Sequence, residues 1–169
     1  VTITGIETAN LTGGVGVNAF TVSSWTGTAN LAGLTGNDSY TVNLTGAGSG
    51  AVIVADTGGV DTLTVNGTAA ANAFTLTDTV VTLGTETVTS VAAEIDTLTV
   101  DGLAGGDNFT VSALTRTATI TGSGADTVTA VNDVLAIGLS DSTLTRTGLG
   151  AVTITGIETA NLTGGVGVN

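Results

Sequence analysis

The sequence predicts an all-β chain wound as a parallel β-helix, or β-solenoid, with a string of tandem β-sandwich domains as the alternative. Three observations predict it. The stretch ETANLTGGVGVNAFTV at 7–22 recurs with drift from Gly27, Asp61 and Asp96, and begins again at Glu158. Above it lies a longer repeat: VTITGIETANLTGGVGVN at 1–18 returns letter for letter at 152–169. The periodic runs are filled by Thr and Val, whose branched Cβ suits a pleated surface, and 26 glycines punctuate them. Self-similarity at a short period is the mark of a repeat architecture. The expected organisation is one continuous segment over 1–169, with one full repeat at 1–151 and the opening of the next at 152–169.

The elements follow in order. VTIT at 1–4 alternates as a short strand that Gly5 ends, and 8–11 is the next strand. Gly13, Gly14 and Gly16 make a turn, 20–22 is a third strand, and Trp25 follows in a loop. The cycle returns from Thr28 through Gly33 and Gly36 to a strand at 40–44. A Gly/Ser turn leads to the apolar strand 51–55, and 62–65 opens the next copy. After 74–76 come two runs of period two, 80–83 and 86–91, and then 97–100 opens the fourth copy. Strands at 109–111, 115–121 and 127–131 follow, and 134–139, the most apolar run, reads as a fully buried strand. The opening strands begin near Thr8, Thr28, Thr62, Thr97, Thr127 and Thr159, a short first gap followed by four longer ones. A gap of about 30 suits one coil of three short strands, and a gap of about 20 suits a coil of two.

Four of the five aromatic residues fall on one position of the motif: Phe20, Tyr40, Phe74 and Phe109. Stacked at about 4.8 Å per strand, they are expected to form one ladder inside the coil, with Thr21, Thr41, Thr75 and Thr110 pointing outward. Asn10 and Asn30 share another position and are expected to form an amide ladder.

Composition excludes several function classes. With 41% hydrophobic and 9% charged residues, the chain is not a disordered polyelectrolyte. Its formal charge of −12, with Arg116 and Arg146 the only basic residues, argues against a nucleic-acid partner. No apolar run approaches the roughly 20 residues of a membrane helix. There is no initiator Met and no leader, as expected of an internal piece of a longer protein. Without His or Cys, a Ser-His-Asp or Cys-His site cannot be built. The two arginines lie in a repeated LTRT, and the carboxylate pairs Asp56/Asp61 and Asp96/Asp101 belong to repeating turns. No enzyme is expected. Asn-x-Ser/Thr triplets at Asn10, Asn37, Asn43, Asn66, Asn108 and Asn161 are possible glycan acceptors.

The turns carry a resemblance. GGVGVNAFT at 13–21, GLTGNDSYT at 33–41 and GLAGGDNFT at 102–110 resemble the hemolysin-type calcium-binding nonapeptide of RTX proteins; GTAAANAFT at 67–75 and TGSGADTVT at 121–129 fit in part. That resemblance implies calcium between stacked turns, with Asn18, Asp38, Asp107 and Asp126 as ligands. The copies here do not follow one another without pause as the family's do, and Asn18 lacks the charge of the family's Asp. The wider cadence of 61–111 resembles the repeats of giant bacterial extracellular and cell-surface proteins. It implies a secreted or surface-displayed structural repeat of a filament, sheath or fibre, with further copies of itself as partners. An adhesin or a calcium-dependent surface binding protein is the alternative. No cofactor is required by the structural reading.

Overall fold

The computed structural model describes residues 5–131 and 136–165. Among them the chain is all-β, with no helix, in two mixed sheets that do not close on themselves. The strands are β1 (Thr8–Thr12), β2 (Ala19–Ser23), β3 (Thr28–Ala32), β4 (Ser39–Asn43), β5 (Ala51–Ala55), β6 (Thr62–Asn66), β7 (Ala73–Leu76), β8 (Val80–Leu83) and β9 (Glu86–Ser90). They continue as β10 (Thr97–Gly105), β11 (Asn108–Val111), β12 (Ala118–Gly124), β13 (Thr127–Val131), β14 (Ile137–Leu139), β15 (Thr143–Arg146), β16 (Val152–Thr155) and β17 (Thr159–Thr163). The expected strand at 1–4 lies outside the described residues.

The chain passes from one sheet to the other after most strands. The nine-stranded sheet has the order β1-β3-β5-β9-β8-β7-β11-β13-β17, and the eight-stranded sheet β14-β15-β16-β12-β10-β6-β4-β2. Neighbours from successive crossings pair in parallel with like residues in register: Leu11 on Leu31, Val42 on Val65, Thr99 on Thr64. Alternation then sorts the side chains. In β4 the residues Tyr40 and Val42 are buried while Thr41 is half-buried, and β6, β11 and β13 repeat the pattern. Leu63, Val65, Leu98, Val100, Phe109 and Val128 from both sheets meet in one core.

Two excursions break the parallel order. On the nine-stranded sheet β7, β8 and β9 run as an antiparallel meander; on the eight-stranded sheet β14, β15 and β16 do the same. The expectation of purely parallel coils is therefore corrected. Gaps of nearly equal length conceal two different paths. From Thr28 to Thr62 the chain makes three strands and the motif changes sheet; from Thr62 to Thr97 it makes four, with a meander, and the motif keeps its sheet.

This also corrects the single aromatic ladder. Phe20 stacks on Tyr40 in the eight-stranded sheet at 5.2 Å, and Phe74 on Phe109 in the nine-stranded sheet at 5.3 Å. There are two stacks of two, because equivalent motif positions lie on opposite walls. The amide ladder is as expected, with Asn30 Nδ2 donating to Asn10 Oδ1 at 2.7 Å. A second, on β2, β4 and β6, joins Asn66 to Asn43 and Asn43 to Ser23. The buried strand expected over 134–139 is reduced in its described part to Ile137–Leu139, with Gly138 and Leu139 exposed. It is apolar, but it forms the edge of its sheet.

Candidate functional site

The residue that precedes a strand at a corner is the most consistent chemical feature of the chain. Its backbone N–H points along the stack toward the next crossing. In one column Asn18 N–H donates to Asp38 Oδ1 (2.6 Å), Asp38 N–H to Asp61 Oδ1 (2.7 Å) and Asp61 N–H to Asp96 Oδ2 (2.8 Å). In the other, Asn72 N–H donates to Asp107 Oδ1 (2.7 Å), Asp107 N–H to Asp126 Oδ1 (2.6 Å) and Asp126 N–H to Glu158 Oε2 (2.7 Å). A hydrogen bond to a charged acceptor is stronger than a neutral one, and these acceptors satisfy donors that the corner would otherwise bury. Asn18 and Asn72 turn their own Oδ1 back to Gly14 N–H and Thr68 N–H.

The same columns explain the first glycine of each motif copy. A Cβ on Gly13, Gly33, Gly67, Gly102 or Gly122 would overlap the side-chain oxygen of Asn18, Asp38, Asn72, Asp107 or Asp126. The glycine makes room for the corner acid.

The four residues expected from the motif thus fall as two pairs in different columns, Asn18 with Asp38 and Asp107 with Asp126. The members of each pair are joined by an N–H to carboxylate bond. Sequence reasoning missed Asp61, Asp96 and Glu158 as their partners. The signal was present as an acid before the opening Thr at Glu7, Asp61, Asp96, Asp126 and Glu158. It also missed Glu86, a buried carboxylate that accepts from Thr45 N–H and hydroxyl and from Gly46 N–H at 2.7–3.1 Å. Asp56/Asp61 and Asp96/Asp101 serve corners and turns: Asp56 accepts from Thr57 N–H, and Asp101 from Leu103 N–H. Of the LTRT arginines, Arg116 donates to Ser90 Oγ at 3.1 Å and Arg146 is buried. Burial lowers the pKa of both.

One place concentrates charge. Asp38, Asp56 and Asp61 are all buried, and one carboxylate oxygen of each lies within 4.8 Å of the others. The Tyr40 hydroxyl donates to Asp56 Oδ2; burial first, and this bond second, push the phenol well above its ordinary pKa. Asp38 Oδ2 is buried without a hydrogen-bond partner. A calcium ion takes six to eight oxygens. Here Asp56 Oδ1 and Oδ2 and Asp61 Oδ1 already accept hydrogen bonds, so the carboxylates alone fall short of a full shell. The trio fits a cation that takes additional ligands from elsewhere.

Protons have a predictable effect. Burial raises the Asp61 pKa above its ordinary value; the bond from Asp38 N–H opposes this, and repulsion from Asp56, Asp38 and Asp96 adds to it. Burial raises Asp107 too, helped by Asp126 and Asp101. A raised folded pKa contributes stability below the unfolded value, and this is lost as pH rises through the folded one. Burial opposes the charge of Asp78, but bonds from Thr115 and Arg116 and the arginine's charge outweigh it, so its pKa is lowered. Its contribution is present above the unfolded pKa and lost in acid below it. The contribution of Asp61 and Asp107 is therefore expected to grow as pH falls from neutral through their raised folded pKa, and that of Asp78 to be lost as pH falls further through its lowered one. Asp61→Asn keeps an acceptor for Asp38 N–H and removes charge. It is expected to raise the melting temperature at neutral pH, where Asp61 is charged among Asp38, Asp56 and Asp96, and to weaken this pH dependence. A calorimetric scan in which Asp61→Asn melts below the parent chain at neutral pH would contradict this.

No helix of the described residues is long and apolar enough to cross a membrane. No protein-family model matches the chain, and no curated protein and no solved structure does so either.

Proposed function

We propose that the chain is a structural repeat of an extracellular filament, sheath or cell-surface fibre, built as a β-solenoid whose two walls are the two sheets. One observation carries the reading. Strand β17 has the sequence of β1, and it joins β13 in the same parallel register that joins the interior crossings, Thr159 on Thr127 and Leu162 on Ala130. The start of the next repeat thus pairs in the register of the interior crossings. Eleven of the strand pairs among the described residues are parallel and four antiparallel, which favours a solenoid over tandem antiparallel sandwiches. Heterologous ends that do not close on themselves generate open filaments. The resemblance to giant bacterial surface repeats points the same way, and glycans on the Asn-x-Ser/Thr triplets would suit such a surface.

A second reading, an adhesin or calcium-dependent RTX-like surface protein, is favoured by the unpartnered oxygen of Asp38 in its acidic trio. Electron microscopy of the assembled protein, with and without a calcium chelator, separates the two. Filaments that persist in chelator, with an axial spacing of about 4.8 Å, are expected for the structural repeat. Filaments that dissolve, or isolated particles throughout, would favour the calcium-dependent protein.

A further inference from the structure

The two meanders are one device used twice. In the first, Phe74 pairs with Leu83, Thr75 with Thr82 and Leu76 with Val81; in the second, Ile137 pairs with Arg146, Gly138 with Thr145 and Leu139 with Leu144. The step along the chain from Phe74 to Ile137 carries every member of the first set onto its counterpart in the second. The turns agree in detail: Thr77 N–H donates to Val80 O and Ser140 N–H to Thr143 O, both at 2.9 Å. Ser90 N–H reaches Thr79 O as Ile154 N–H reaches Ser142 O, again at 2.9 Å.

The first meander is completed on its outer side. Strand β11 adds to β7 in parallel, Phe109 on Phe74 and Val111 on Leu76. Ser112 N–H donates to Leu76 O at 3.0 Å. Asp78 in the turn then accepts from Thr115 N–H (2.8 Å), Thr115 hydroxyl (2.7 Å) and Arg116 N–H (3.3 Å). The second meander lacks all of this among the described residues. Strand β14 is the sheet edge, Leu139 is 49% exposed, and Asp141, the counterpart of Asp78, is exposed and accepts no described hydrogen bond.

The sequence contains the missing filler. The segment that completes the first meander, FTVSALTRTATI at 109–120, has a counterpart in FTVSSWTGTANL at 20–31. That counterpart begins in β2, the opposite open edge of the same sheet. The order also matches. One strand of the other sheet, β10, separates the first meander from its filler; one strand, β17, follows the second meander, and in the sequence of the repeat β2 comes after it.

We infer that a second copy of this chain completes the eight-stranded sheet head to tail, its β2 adding in parallel to β14. This rests on the filament reading and names its joint. Phe20 of the incoming copy lies on Ile137, Thr21 on Gly138 and Val22 on Leu139. Ser23 N–H meets Leu139 O. Asp141 accepts from the N–H and hydroxyl of Thr26 and from Gly27 N–H. Strand β17 takes the place of the incoming copy's β1 against its β3, since the two strands share one sequence. The end faces suit the joint. An apolar groove at the β1/β2 end is lined by Ile6, Ala9, Leu11, Val22 and Trp25. Ile157, Ala160 and Leu162 at the other end are the counterparts of its first three lining residues and supply the same wall. Trp25 occupies the place of Leu114, which is fully buried.

The chain has no cysteine, so introduced thiols are unique. Ser140→Cys and Ser23→Cys, both at exposed positions, would face each other across the joint. A mixture of the two variants treated with a short bifunctional thiol reagent is expected to yield a covalent pair, and neither variant alone is expected to do so. Filaments that assemble from the mixture without a link, or a link within one variant alone, would overturn the joint and leave the filament reading standing. A covalent tandem, residues 1–151 followed by the full chain, tests the joint when free chains do not assemble. There Asp141→Ala in the first copy is expected to lower the melting temperature by as much as Asp78→Ala does, while leaving the single chain unchanged. Equal melting of the tandem with and without Asp141→Ala would also overturn it.

Discussion

Gly124→Ala is expected to destabilise the chain by about 3 kcal/mol or more, enough to remove the cooperative unfolding transition of a marginal domain. Gly124 has φ +152, and a Cβ there would overlap the carbonyl oxygen of Gly105 in the preceding crossing. Both groups are backbone. No rotamer change relieves the overlap, and moving either strand end would disturb the Asp126 and Asp107 corners beside it. Gly14→Ala is the control. It lies in a motif turn of the same kind, has no neighbour within 4 Å of a Cβ, and lacks a positive φ. Its expected effect is within about 1 kcal/mol of zero. Urea unfolding of the two variants measures the contrast. Similar losses would mean that the stacked glycines are not in close contact.

Phe109→Ala is expected to cost about 3–5 kcal/mol. The ring is fully buried, lies parallel to Phe74 at 5.3 Å, and is flanked by Val128 on the next strand. Neighbours on both sides are held by ladders, so the cavity cannot collapse. Phe20→Ala removes the same group at the open edge of the eight-stranded sheet, where the ring is only partly buried and has a stacking partner on one side. Its cost in the single chain is expected to be less than half as large. Equal costs would contradict the placement of Phe20 at an edge.

Much of the strand map was legible. Thr and Val alternate in short runs, and Gly ends many of them, so 51–55, 80–83 and 127–131 could be placed from local pattern alone. The candidate site was half legible. The glycine and the acid of each turn could be seen as a motif; the structure joins Asn18 to Asp38 and Asp107 to Asp126. What joins each pair is a backbone N–H, which has no letter in the sequence. For that reason Asp61, Asp96 and Glu158 were not recognised as members of the same columns. Glu86 was missed because its partners, Thr45 and Gly46, are far away along the chain and carry no complementary charge.

By itself the sequence determined the all-β character, the turns, and the identity of β17 with β1. These depend on Cβ branching, on glycine, and on exact repetition, all of which act locally or are read directly. Only the tertiary structure decided which sheet each copy of the motif enters and where the chain doubles back. The stretches from Thr28 to Thr62 and from Thr62 to Thr97 are nearly equal in length, yet the first holds three strands and the second four. Such a length serves either path, and a Thr/Val strand offers the same backbone donors and acceptors to any neighbour. The choice is made by packing: Phe74 and Phe109 fill the core from one wall, Leu63 and Leu98 from the other, and the meanders occupy the strand positions that the crossings leave open.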